Sequence, residues 1–186
     1  MERTLVLVKP DGVERALIGK VISKFEDAGL KIVALKMLKP TSELVSKHYA
    51  DDKAWMEKLG KKAIASYEAR GTKVAETPLE IGMRIRKFLF DYITKAPVVA
   101  MVVEGNEAIS IVLKLTGSTS SAKADASSIR GMYSSDSYDL ADEKKRAVKN
   151  IIHASDSKET AEREITVWFK ESEIMKYKRA DESAMY

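Results

Sequence analysis

Cysteine is absent from this 186-residue chain, which excludes a disulfide scaffold and says nothing positive about redox chemistry. Long apolar runs are missing too. Ala96 to Val103 is far too short to cross a bilayer, and the run after Glu2 and Arg3 does not have the form of a signal peptide. Charge of one sign is scarce: the net charge of +4 suits a protein that handles small polyanions. It is too small to argue for nucleic acid without a clustered basic face. Internal repeats and flexible linkers are also lacking. The length allows one ordinary core and is short for two, so a single domain is expected, by default a cytoplasmic enzyme or binding protein.

Histidine is nearly absent as well, with two in the chain, and one of them stands in the most informative stretch, Asn150-Ile-Ile-His-Ala-Ser-Asp156. His153 falls between a short apolar run and a strong helix start. Ser155 or Asp156 is expected to cap that helix, with Glu159 as the return half of a capping box, and Ala161, Ile165 and Trp168 recur at helical spacing. Such a start offers unpaired N–H groups and the positive end of a helix dipole, which favours phosphate. Two readings stay open on these residues: a histidine packed at a strand end, or a nucleophile that accepts a phosphoryl group.

Along the chain, Thr4 to Val8 reads as a buried strand that delivers Lys9 to the sheet edge, followed by a type I turn at Lys9-Pro-Asp-Gly12. Leu17, Val21, Ile22 and Phe25 predict a helix ended by Gly29, and Ile32 to Leu38 a second strand. Glu43 to about Thr94 is expected to be helical, capped at Thr41 and Thr77 and broken near Gly71. Pro97 to Val103 reads as a central strand, Glu107 to Leu115 as a helix, Ser118 to Ser128 as a long loop, and Asn150 to His153 as a fourth strand. Asp142 to Lys149 reads as a solvated charged segment and Lys170 to Tyr186 as a peripheral tail. Four strands interleaved with helices suggest an α+β sandwich of ferredoxin-like type.

Lys9-Pro-Asp-Gly-Val13, His48-Tyr49, Ile129-Arg-Gly131 and Asn150 to Asp156 occur in that order, and together they resemble the nucleoside diphosphate kinase family. The resemblance spans nearly all of residues 1–186 as one domain, apart from a longer helical insertion within about 57–94 and a C-terminal extension from about 170 to 186. It implies a four-stranded antiparallel ferredoxin-like sheet covered by helices. It also implies a ping-pong exchange in which a nucleoside triphosphate phosphorylates His153 and a diphosphate then collects the group. By the same resemblance Glu164 orients the imidazole with Ser155 beside it, and Lys9 binds the sugar hydroxyl and transferred phosphate. Tyr49 steadies Lys9 and His153, Thr119 and Arg130 hold phosphates, and Asn150 contacts the sugar. Asp156 reaches a magnesium ion through water, the ion being carried mainly by the nucleotide. Trp55 or Met56 is the nearest residue for stacking on the base. A homo-oligomer, with a hexamer favoured, is implied as well.

Three departures from the family pattern stand out. Leu113 occupies the place of a phosphate-binding arginine, with Arg84 or Arg86 as possible replacements from the insertion. Ala126-Ser-Ser128 and Met132 alter a loop that builds subunit contacts in the family. The base-stacking residue does not align firmly. These departures motivate one rival, a regulatory nucleotide binder without transfer activity. A second, a nucleic-acid binder using Lys144 to Lys149, lacks the aromatic-rich strands such sheets use.

Overall fold

The computed structural model describes residues 1–185; the last residue of the expected extension, Tyr186, lies outside them. Four strands, β1 (Glu2–Val8), β2 (Lys31–Leu38), β3 (Val98–Gly105) and β4 (Ile152–Ala154), form one antiparallel sheet in the order β2-β3-β1-β4. Helices follow from patterns visible in the chain. Helix α1 is Pro10–Glu14 and α2 is Ile18–Asp27, whose Val21 and Phe25 are buried one turn apart. The remaining helices are α3 (Ser42–His48), α4 (Lys53–Ala69), α5 (Pro78–Lys95), α6 (Ala108–Thr116), α7 (Ile129–Tyr133), α8 (Tyr138–Glu143), α9 (Lys158–Trp168) and α10 (Glu182–Met185).

Strand alternation divides the core in two. Val6, Val8, Met101 and Val103 meet Phe25 and Val112 on one face, while Leu5, Leu7, Ala100 and Val102 meet Val45, Ile93 and Trp168 on the other. Since β1 and β3 are apolar on both faces, each must be covered on both sides, and that makes the pair central. Helices α4 and α5 touch backbone to backbone. A Cβ at Gly60 would fall 1.7 Å from the Pro78 carbonyl oxygen and one at Gly82 2.0 Å from that of Met56, so this crossing needs glycine on both helices. Thr77 caps α5 with a full capping box through Glu80, as its spacing implies.

Five local expectations are corrected. Lys9-Pro-Asp-Gly12 opens the short helix α1 instead of a type I turn, with Pro10 at a first helical position, where no N–H is required. Helix α9 is capped by Ser157, whose hydroxyl accepts from Thr160 N–H at 3.1 Å, and not by Ser155 or Asp156. Ser155 is still part of the sheet, donating its N–H to the Leu5 carbonyl at 3.2 Å, so the helix starts later and the box with Glu159 does not form. The fourth strand is shifted to Ile152–Ala154 because Ile151 sits at φ 70°, outside strand geometry. The charged segment begins in helix α8, where Asp142 accepts from the Tyr67 hydroxyl at 2.9 Å and pairs with Arg70 at 3.1 Å, while Arg146 pairs with Asp136. The tail is bound along β2: Met175 N–H donates to Val33 O at 2.7 Å, Arg179 to Leu30 O at 3.0 Å, and Lys31 pairs with Glu182 at 2.7 Å.

Candidate active site

Antiparallel pairing of β1 with β4 sets Leu7 opposite His153. Side chains alternate along a strand, so Leu5, Leu7 and Lys9 share the His153 face, with Lys9 directly after the end of β1. The His153 side chain keeps 23% of its exposure. From α9, the buried Glu164 carboxylate lies 2.8 Å from His153 Nε2 and accepts from the Ser155 hydroxyl at 2.6 Å. Burial pushes that carboxyl up, but the facing His153 ring and then His48 outweigh it and hold it down at about 2. A carboxylate can only accept, so Nε2 carries the proton and Nδ1 is left with a free lone pair.

His48, at the end of α3, lies behind this pair. Its ring meets that of His153 edge-on with centroids 4.7 Å apart, and Nδ1 accepts from the Trp168 indole N–H at 3.3 Å. Burial first, then the charge of His153, lowers it to about 3, so it is a neutral wall at working pH.

The phosphate-directed groups converge on the β1 and β4 ends. Lys9 is buried and its amine donates to Asn150 Oδ1. Burial, then Arg130, brings it down to about 7. Asn150 Nδ2 donates to the Thr119 carbonyl at 2.8 Å, and the Thr119 side chain is exposed beside it. Arg130, on α7, donates to Gly117 O at 2.9 Å and Ile152 O at 2.8 Å, while its buried Nε has no partner among the described residues. Burial lowers Arg130 to about 10, which leaves it charged at neutral pH. Thus the residue after β1 and the loop after α6 meet at Asn150.

The other expected residues divide. Tyr49 is buried against His48, ring centroids 4.5 Å apart, and its hydroxyl bonds neither Lys9 nor His153 among the described residues. The aromatic neighbour of Lys9 is Tyr92, whose ring centre lies 5.5 Å from Nζ. Trp55 is half-buried with its ring 6.3 Å from that of Tyr49. Asp156 is exposed. Arg84 is paired with Glu76 at 2.9 Å, and Arg86 Nε donates to Tyr49 O at 2.9 Å. Sequence reasoning gave no role to Asp11 or Tyr92. Asp11 Oδ2 accepts from Ile151 N–H at 3.0 Å, and its Oδ1 accepts from the Tyr92 hydroxyl.

His48, His153 and Glu164 could converge on a metal ion, their ligand atoms lying within 4.8 Å of one another. Two imidazoles and one carboxylate do not suit magnesium, which prefers oxygen donors. His153 Nε2 is also engaged by Glu164 at 2.8 Å, and His48 Nδ1 by the Trp168 indole N–H at 3.3 Å.

The family model described as nucleoside diphosphate kinase matches residues 2–66 and 83–174. A nucleoside diphosphate kinase of Pyrobaculum aerophilum is 46% identical over 180 residues, covering 94% of this chain and 98% of that one. One from Methanothermobacter thermautotrophicus is 42% identical over 186 residues, covering 100% and 99%. Among solved structures, the crystal structure of an NDP kinase from Pyrobaculum aerophilum superposes with a TM-score of 0.89 at 44% identity, over 94% of this chain and 99% of that one. A transition-state mimic of the Borrelia burgdorferi nucleoside-diphosphate kinase, with bound vanadate and ADP, superposes with a TM-score of 0.80 at 39% identity, over 98% and 95%. With this sheet order, this histidine–glutamate pair and matches of this extent, the chain belongs to the nucleoside diphosphate kinase family, enzymes that move the terminal phosphoryl group of a nucleoside triphosphate onto a diphosphate.

Proposed function

We propose that Nδ1 of His153 is the atom that carries the phosphoryl group between the two nucleotides. The observation that carries this reading is the 2.8 Å contact between His153 Nε2 and a buried carboxylate, on a ring that still faces solvent. As the Nδ1 lone pair forms its bond to the terminal phosphorus, the bond from phosphorus to the bridging oxygen breaks and the diphosphate leaves with those electrons. The ring becomes cationic, and Glu164 stabilises it from the opposite nitrogen. Return to a second diphosphate is the same step reversed, so one nucleophile serves both halves.

Phosphoryl transfer through a loose transition state asks mostly for alignment and positive charge. Lys9, the Arg130 guanidinium and the Thr119 hydroxyl supply donors, and Asn150 supplies an amide for the sugar hydroxyl once the nucleotide displaces its present partners. Magnesium, when bound to the nucleotide phosphates, neutralises charge there, and Asp156, an exposed carboxylate, would reach it through water. Trp55, half-exposed beside Tyr49, gives the base a face to stack on. Stacking with few base-edge contacts discriminates poorly, so nucleotides of several bases are substrates, and ribose and deoxyribose forms are both expected to be accepted. A cytoplasmic homo-oligomer, a hexamer in preference, completes the reading. Leu35 and Met37, exposed apolar residues on the edge strand β2, support self-association.

Intact mass after mixing with ATP and magnesium tests the acceptor. The protein should gain one phosphoryl mass at neutral pH and lose it in acid, and His153→Ala should gain none. Mass that survives acid would point to a hydroxyl acceptor and overturn the assignment.

A further inference from the structure

The segment Lys9–Gly12 grips the turn at 150–152 from several sides, and two residues of this grip have no part in the chemistry above. Ile151, buried and β-branched, sits at φ 70°, a region costly for any residue but glycine. Ile152 N–H closes the turn on Asn150 O at 2.7 Å, an i to i+2 bond. Such a three-residue turn is strained and persists only when its surroundings impose it. Here the Lys9 N–H donates to Ile151 O at 2.7 Å and the Asp11 carboxylate accepts from Ile151 N–H at 3.0 Å. Gly12 lies so close that an added Cβ would stand 3.0 Å from Ile151 O. The Tyr92 hydroxyl, arriving from α5, donates to the other oxygen of Asp11.

We infer that Asp11 and Tyr92 are positioning residues for phosphoryl transfer: Tyr92 fixes the Asp11 carboxylate, which locks the Ile151 turn and so sets Asn150 in register with His153. The inference rests on the phosphohistidine reading. Burying a carboxylate is expensive unless it is paired or well hydrogen-bonded, and no salt bridge reaches Asp11 among the described residues. Its compensation comes from a backbone N–H and a phenol, both of which fix geometry. Asn150 opens the turn and His153 follows it directly. A slip at Ile151 therefore changes the distance between the amide that holds the sugar and the nitrogen that attacks.

The test compares Tyr92→Phe, Asp11→Asn and Asp11→Ala with the parent protein in three measurements: kcat and KM for magnesium-ATP and a diphosphate acceptor, melting temperature, and amide hydrogen exchange of the peptide spanning 148–156. Misplacement of reacting groups by about 1 Å costs on the order of a hundredfold in rate. Asp11→Ala is expected to lose about that in kcat and Tyr92→Phe about tenfold. Exchange at 151–152 should quicken in both. Asp11→Asn should recover to within about threefold of the parent, since its amide can accept from Ile151 and donate to the Tyr92 oxygen. If Asp11→Ala does not fold, Tyr92→Phe decides alone. Unchanged kcat or unchanged exchange in Tyr92→Phe, or Asp11→Asn falling as far as Asp11→Ala, overturns the inference. Exchange reads the turn whichever residue takes the phosphate, so persistent labelling of His153→Ala would sink the acceptor assignment separately.

Discussion

Replacing Glu164 probes the one contact on which the chemistry depends. The carboxylate is buried, 2.8 Å from His153 Nε2 and 2.6 Å from the Ser155 hydroxyl, with His48 Nδ1 3.5 Å away. Glu164→Gln keeps volume and an acceptor oxygen but removes the charge. A hydrogen bond to a charged group contributes about 1.5–3 kcal/mol, against about 0.5–1.5 for a neutral one. The difference, about 1.5 kcal/mol, corresponds to roughly tenfold in rate. Because the ring acquires its positive charge only as Nδ1 bonds to phosphorus, the loss belongs to the transition state and should appear in kcat with KM nearly constant. Glu164→Ala removes the acceptor as well, freeing the tautomer and rotation of the ring, and should lose about 10²–10³-fold. Rapid-quench measurement of the first half-reaction, phosphorylation of the enzyme by ATP without acceptor, isolates the step. Parent-like burst rates in folded Glu164→Ala would refute the reasoning, as would a loss confined to KM.

Two further outcomes follow from the same geometry. In the empty site Lys9 is charged below about 7 and uncharged above it, chiefly through burial, and an arriving phosphate favours the charged form. Nucleotide binding at pH 8 should therefore take up protons, seen in calorimetry as a dependence of binding heat on the buffer, and KM should rise with pH from 7 to 9; binding heat independent of the buffer would contradict this. At the α4–α5 crossing, the 2.0 Å approach of a Cβ on Gly82 to the Met56 carbonyl makes Gly82→Ala an overpacking change of about 1–3 kcal/mol. Calorimetry should show the melting temperature fall by several degrees, and an unchanged value would mean the helices separate without cost.

What could be read from the chain depended on how far each signal acts. Val6 and Val103 reveal themselves by alternation, and Thr77 with Glu80 by a spacing closed within one turn. The sheet and most helices were therefore legible, as were His153 and Glu164, which a family pattern places together though eleven residues separate them. The misread positions share one cause. Ser155 and Asp156 satisfy the local rule for a helix cap, yet Ser155 N–H is claimed by Leu5 O, a partner 150 residues away in sequence. The tail looked polar and unattached because two of its bonds are to the backbone carbonyls of Val33 and Leu30, which no side-chain pattern records. Tyr92 is the sharpest case. On α5 it falls among Leu89, Phe90 and Ile93 and reads as one more core residue, and only its hydroxyl, meeting a carboxylate from helix α1, gives it a place in the site. Local rules specify which backbone groups need partners; the sheet, assembled from distant segments, decides which partners they get. The active site lies where the two β-strand ends meet, which is where that long-range choice overrides the local one most often.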